Sequence, residues 1–251
     1  MEICNRFLDG PLITTDWCNI VNRVMNFYCM DNKDSYIKNS RDFRLRGEHW
    51  DYFDKTITYK FNSQGYRAPE WDTIDWKESV VVFGCSMVVG EGLAEEDTVT
   101  SQLSKLLGRP VVNLGVSGTG MSFSFYNSVM LYKNLPTPYA VVQQWSSCNR
   151  IELYKNDSIL LHNPMYINNP DFYRNWINTV ENPNTHMYMA AQASRCMWDS
   201  KTKYYELSLF GETANILNCT LIRYTDLARD LGHPGIKTAK LVAENIAANI
   251  S

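Results

Sequence analysis

The apolar positions of this chain change period along its length, and the changes mark out its elements. Val80 to Phe83 is an unbroken β-branched and aromatic run, the pattern of a strand buried on both faces, and it stops at Gly84-Cys85-Ser86. Glu95-Glu96-Asp97-Thr98 then places acidic residues and a cap at the start of a helix. Its apolar face is Val99, Leu103, Leu106 and Leu107, and Gly108-Arg109-Pro110 closes it. Val111 to Leu114 reads as a second strand, followed by a loop containing Gly115, Gly118 and Gly120 and a helix from about Met121 to Lys133. Beyond Leu135-Pro136-Thr137-Pro138 a third strand runs from Tyr139 to Trp145. A helix from about Tyr204 to Leu217, a strand from Thr220 to Tyr224 and a helix from about Gly235 to Ile250 continue the alternation. Strand alternating with helix predicts an α/β fold, a three-layer αβα sandwich around a parallel sheet.

Two stretches fall outside this rhythm. Thr14 or Thr15 can cap a helix in which Trp17, Ile20, Val21, Val24, Phe27 and Tyr28 recur at helical spacing. Thr56 to Phe61 alternates as a strand does, and Asn62-Ser63-Gln64-Gly65 is a turn signal, so a hairpin is expected there. Residues 1–76 therefore read as a helix and hairpin extension bordering the cleft, and residues 77–251 as the α/β domain. Within that domain residues 151–203 are Asn- and Tyr-rich and interrupted by proline, the composition of an insertion or lid.

Composition narrows the function. With 251 residues and 45% hydrophobic content the chain can bury a large core without staples. A net charge of -3 and a pI near 5.8 provide no basic excess for a nucleic-acid backbone. No apolar run approaches the roughly 20 residues that span a bilayer, and Met1 to Trp17 lacks the charged start and apolar centre of a signal peptide. The seven cysteines are scattered with no C-x-x-C pair, as reduced thiols of a cytoplasmic protein are. His49, His162, His186 and His233 show no metal-ligand spacing, and no metal or other cofactor is expected. Fifteen tyrosines and seven tryptophans fill cores and can also line a carbohydrate cleft.

The chemistry-bearing residues lie at the ends of predicted strands. The first strand delivers Ser86 to its own carboxyl end, where open parallel sheets gather their ligands. Asp230-Leu231-Gly232-His233 supplies a carboxylate and an imidazole three residues apart on a loop at the same sheet edge. A serine hydroxyl needs a base to become a nucleophile, and the base needs a group that fixes its tautomer. Ser86 as nucleophile, His233 as general base and Asp230 as orienting carboxylate fit those roles.

Three blocks occur in one order: Gly84-Cys85-Ser86, Asn113-Leu114-Gly115-Val116-Ser117-Gly118 and Asp230 to His233. Together they resemble the SGNH or GDSL hydrolases over roughly residues 77 to 251. The resemblance implies a flavodoxin-like sheet, an esterase or acyl hydrolase activity without cofactor, and an oxyanion hole. Its donors would be the backbone of Ser86, the backbone of Gly118 and an asparagine side chain. No Gly-x-Asn-Asp block follows the third strand, so Asn149, the nearest asparagine, takes the third place, with Ser146 or Ser147 as stand-ins. Cys85 stands where the family has aspartate, and as the neighbour of Ser86 on extended chain it should point to the opposite face as a structural thiol. Asp226 is a spare carboxylate. Asn62, Gly65, Tyr66 and Arg67 also match a segment that precedes the serine block in some members. Arg67 then either pairs with a nearby carboxylate or donates at the cleft edge to a substrate oxyanion.

The resulting expectation is hydrolysis of a carboxylic ester through an acyl-serine, on a small acyl ester or an O-acetylated carbohydrate. The alternative is a catalytically degenerate module of the same fold that binds glycan. The Asn- and Tyr-rich style resembles that of tailed-phage proteins, which would place such a module in a phage particle. Oligomeric state is unread.

Overall fold

The computed structural model describes residues 20–41, 52, 55–148, 150–155, 158–162 and 185–251. Five strands form one parallel sheet: β3 (Val80–Gly84), β4 (Val111–Gly115), β5 (Ala140–Trp145), β8 (Lys203–Ser208) and β9 (Thr220–Leu221). Their order across the sheet is β4-β3-β5-β8-β9, and every neighbouring pair is parallel. Numbered in chain order this is 2-1-3-4-5, the flavodoxin-like arrangement, whose direction of winding reverses beside its first strand.

The Val80 to Phe83 run is buried because each face of β3 meets a different layer. Val80 and Val82 pack with Val99 and Leu103 of α3 (Val99–Leu107) and with Val242, Ala243 and Ile246 of α7 (Ile236–Ile250). Val81 and Phe83 pack with Phe123 and Leu131 of α4 (Met121–Asn134) and Trp198 of α5 (Thr185–Trp198). The Trp198 indole also donates to the Ser128 hydroxyl of α4 at 2.7 Å. Part of the stretch expected as insertion or lid is thus a helix of the main layer, preceded by an antiparallel pair, β6 (Ile151–Lys155) and β7 (Ser158–His162).

A short helix, α2 (Ser86–Val89), starts directly after β3. Gly84 and Gly115 are paired in register beneath it. A Cβ on Gly115 would lie 2.6 Å from the Val89 nitrogen and 3.0 Å from the Cys85 carbonyl oxygen, both backbone atoms that cannot step aside. The missing side chains let α2 sit on the sheet end and set the height of Ser86. Gly115→Ala is expected to lower stability by roughly 1–3 kcal/mol, read by urea denaturation.

The N-terminal segment departs from expectation. Residues 20–28 are not helical: Asn22 and Cys29 have φ of 57° and 51°, which no right-handed helix accommodates, and Val24 is 65% exposed. The chain instead forms β1 (Val24–Met25), and a helix, α1 (Lys33–Arg41), follows it. Residues 14–19 lie outside the described residues. The expected hairpin is also replaced, because β2 (Tyr59–Lys60) pairs antiparallel with β1 rather than across the Asn62–Gly65 turn. The turn is real: Asn62 Oδ1 accepts from Gln64 N at 3.0 Å and Tyr66 N at 2.9 Å. Tyr28, Tyr52, Ile57, Tyr59 and Phe61 share one core with Val80, Val82 and Leu207. Finally, the helix expected from Tyr204 is split into β8 and α6 (Gly211–Leu217). Among the described residues no helix is long and apolar enough to cross a membrane.

Candidate active site

Ser86 occupies the first position of α2, at the carboxyl edge of β3. Its N–H is one of the first-turn donors that have no carbonyl within the helix. Cys85, the preceding residue, is turned into the core with Val88 and Leu103 and is 1% exposed.

His233 reaches Ser86 from a loop between β9 and α7. The Ala228 N–H donates to the His233 carbonyl at 2.8 Å, and Leu231 turns the chain with a φ of 57°. Asp230 Oδ1 accepts the N–H groups of Gly232 and His233, each at 3.0 Å, and its Oδ2 bonds His233 Nδ1. The carboxylate only accepts, so Nδ1 carries the proton and Nε2 of the neutral ring is free to accept. His233 Nε2 lies 2.8 Å from Ser86 Oγ. Asp230, His233 and Ser86 thus form one continuous chain of hydrogen bonds. Burial opposes charge on His233, but the bond to Asp230 and the negative charges of Glu91 and Asp230 outweigh it and raise the imidazole to about 9. Burial likewise opposes ionisation of Asp230, yet its bond to His233 holds it below the usual carboxylate range.

Glu91, which the sequence reading passed over, is the second carboxylate here. It is 2% exposed, and its Oε2 stands 3.8 Å from His233 Nε2. The signal was its place between Gly90 and Gly92, whose φ angles of 76° and 77° turn the intervening residue inward. Glu91, Asp230 and His233 offer ligand atoms within 4.8 Å of one another, but both imidazole nitrogens are already engaged by Asp230 and Ser86.

Gly118 lies in the loop after β4, beside β3, with a φ of 76°. Arg150 Nη1 ties this loop to the end of β5 by donating to the Thr119 carbonyl at 2.9 Å. Asn149 lies outside the described residues. The buried Ser146 hydroxyl has no protein partner among the described residues. Arg67 is not at the cleft edge: it is 2% exposed and donates to the carbonyls of Val89 at 3.1 Å, Gly90 at 2.9 Å and Leu93 at 3.1 Å. With Glu95 2.6 Å from its Nε, it is committed to holding the loop behind Ser86. Asp226 is not spare either, since it accepts from Lys237 N and Thr238 N, each at 2.8 Å, and caps α7.

Comparison with solved structures gives low identities and TM-scores below 0.5. A protein of the G-D-S-L lipolytic family from Desulfitobacterium hafniense is 13% identical, over 68% of this chain and 99% of that one, with a TM-score of 0.43. Another G-D-S-L family member, from Veillonella parvula, is 10% identical over 68% and 96%, with a TM-score of 0.39. Many of the similar structures are GDSL or SGNH hydrolases. A family two carbohydrate esterase from Clostridium thermocellum, in complex with cellohexaose, is 14% identical over 70% and 64%, with a TM-score of 0.43. No family model and no curated protein matches the sequence. The fold assignment rests on the strand order itself.

Proposed function

We propose that the protein is a serine esterase that cleaves a carboxylic ester through an acyl-enzyme. One observation carries this reading: Ser86 Oγ sits 2.8 Å from His233 Nε2 while Asp230 binds the opposite nitrogen of the same ring. In the reaction Ser86 Oγ attacks the carbonyl carbon and its proton passes to Nε2, forming an imidazolium beside Asp230. Collapse of the tetrahedral intermediate releases the alcohol, which takes that proton, and leaves the acyl group on Ser86. Water then repeats the cycle with His233 as base, releasing the acid. The developing oxyanion is assigned to the N–H groups of Ser86 and Gly118, with Asn149 as third donor. The aromatic content favours an O-acetylated carbohydrate within the ester class.

Trapping tests the reading without knowledge of the natural substrate. A fluorophosphonate should label the protein, peptide mapping should find the adduct on Ser86, and Ser86→Ala should remove it. An adduct on another serine, or none on folded protein, overturns the assignment.

A further inference from the structure

Two carboxylates, not one, flank the imidazole. Asp230 binds the Nδ1 side, and Glu91 faces the Nε2 side at 3.8 Å, the side on which Ser86 is held. Nothing in the Asp230–His233–Ser86 chain requires Glu91. Its burial at 2% exposure is costly unless its charge has a partner. The loop is shaped to put it there: glycines on both sides have left-handed φ, and the Gly92 carbonyl is tied to Arg229 N at 3.2 Å, next to Asp230. Met30 N–H donates to Glu91 Oε2 at 3.3 Å, so the N-terminal segment also fixes the carboxylate.

We propose, on the reading of Ser86 and His233 given above, that Glu91 is a positioning residue whose charge sets the protonation of His233 and hence the pH at which Ser86 is activated. Of the surrounding groups, Asp230 and Cys85 act on His233, Asp230, the Ser117 hydroxyl and Tyr28 act on Glu91, and Tyr224 lies beside Asp230. Burial keeps the Tyr28 and Tyr224 hydroxyls protonated well past neutrality. Burial, opposed by the charge of His233, pushes the Glu91 carboxyl upward. His233 accepts the Ser86 proton only when Nε2 is bare, so activity rises with pH through the imidazole transition. A carboxylate beside Nε2 favours the imidazolium and moves that limb to higher pH; removing the charge moves it to lower pH. An opposite charge at this range shifts a titration by roughly 1–3 units.

Glu91→Gln keeps an acceptor for Met30 N–H and removes the charge. In protein carrying 15N-histidine, with His233→Gln to assign the signal, the His233 midpoint should fall by about one pH unit or more. The acid limb of the fluorophosphonate labelling rate should move with it. Glu91→Asp, which retains the charge, should keep the midpoint near that of the wild type; Glu91→Ala, which also removes the charge, carries the test if the Gln variant does not fold. An unchanged midpoint in Glu91→Gln, a midpoint displaced as far by Glu91→Asp, or a labelling limb that stays in place overturns the proposal. Absence of labelling in every variant would overturn the esterase reading instead. The NMR midpoint would then still decide whether Glu91 governs His233.

Discussion

Ser86→Ala should abolish ester hydrolysis, with kcat/KM on p-nitrophenyl acetate falling by a factor on the order of 10⁴ or more. The alanine leaves the substrate carbonyl without an attacking atom, and among the described residues no other hydroxyl bonds His233 Nε2. Stability should change little, because the loss is one hydrogen bond worth about 1 kcal/mol. His233→Ala should cost activity on the same scale, and the double variant should be scarcely worse than either single one, since the residues act as a unit. Asp230→Asn tests the orienting role separately. An amide in place of the carboxylate can present its NH₂ to Nδ1 and force the proton to Nε2, the tautomer that cannot accept from Ser86. Its effect should again be on the order of 10⁴ in kcat, with KM nearly unchanged. If all three variants kept wild-type rates while folded, the chemistry would lie elsewhere.

The residues of this chain of hydrogen bonds were legible because a strand and two short motifs mark them. Val80 to Phe83 admits no reading but a buried strand, and a serine following Gly84 must emerge at its carboxyl end. Asp230 and His233 needed only a turn to bring them into contact, and the spacing supplied one. Other parts were hidden because their burial is polar. Glu206 of β8 is held by side-chain bonds rather than apolar packing: its Oε2 accepts from the Trp145 indole at 3.1 Å, and it also pairs with Arg195 of α5. The apolar alternation of Tyr205, Leu207 and Leu209 is short and has Tyr204 beside it, so the run into Leu217 read as one helix. Residues 20 to 28 misled in the opposite sense, with apolar residues at helical spacing on a chain whose Asn22 and Cys29 turn left-handed. Glu91 escaped notice because a lone glutamate between glycines looks like a solvated turn. The left-handed glycines and the packing of the N-terminal segment through Met30 together face it inward.

That packing depends on one buried ion pair, and Asp31→Ala is expected to show how strongly. Arg229, immediately before Asp230, donates from Nε to Asp31 Oδ1 at 2.9 Å and from Nη2 to Oδ2 at 2.7 Å, with side-chain exposures of 3% and 1%. Nη2 also reaches the Asn26 carbonyl at 2.7 Å, and the guanidinium lies over the Phe27 and Tyr36 rings. Tyr59 O–H donates to the same carboxylate at 2.6 Å while its oxygen accepts from Gly92 N at 2.7 Å. One carboxylate thus joins the N-terminal segment, the loop carrying Glu91 and the loop carrying Asp230. Removing it leaves a guanidinium buried without its counter-charge, which costs roughly 3–5 kcal/mol. Urea denaturation should show that loss, whereas breaking the exposed Lys240–Glu244 pair at 3.8 Å should cost no more than about 0.5 kcal/mol. Displacement of the loop should also lower kcat of the folded fraction by roughly 10- to 100-fold, since misplacement of reacting groups by about 1 Å has that effect. Asp31→Leu combined with Arg229→Met should recover much of the stability, because the penalty arises from the unpaired charge rather than from lost attraction. Recovery of stability without recovery of kcat would show that the pair is kept for the placement of Asp230 and Glu91.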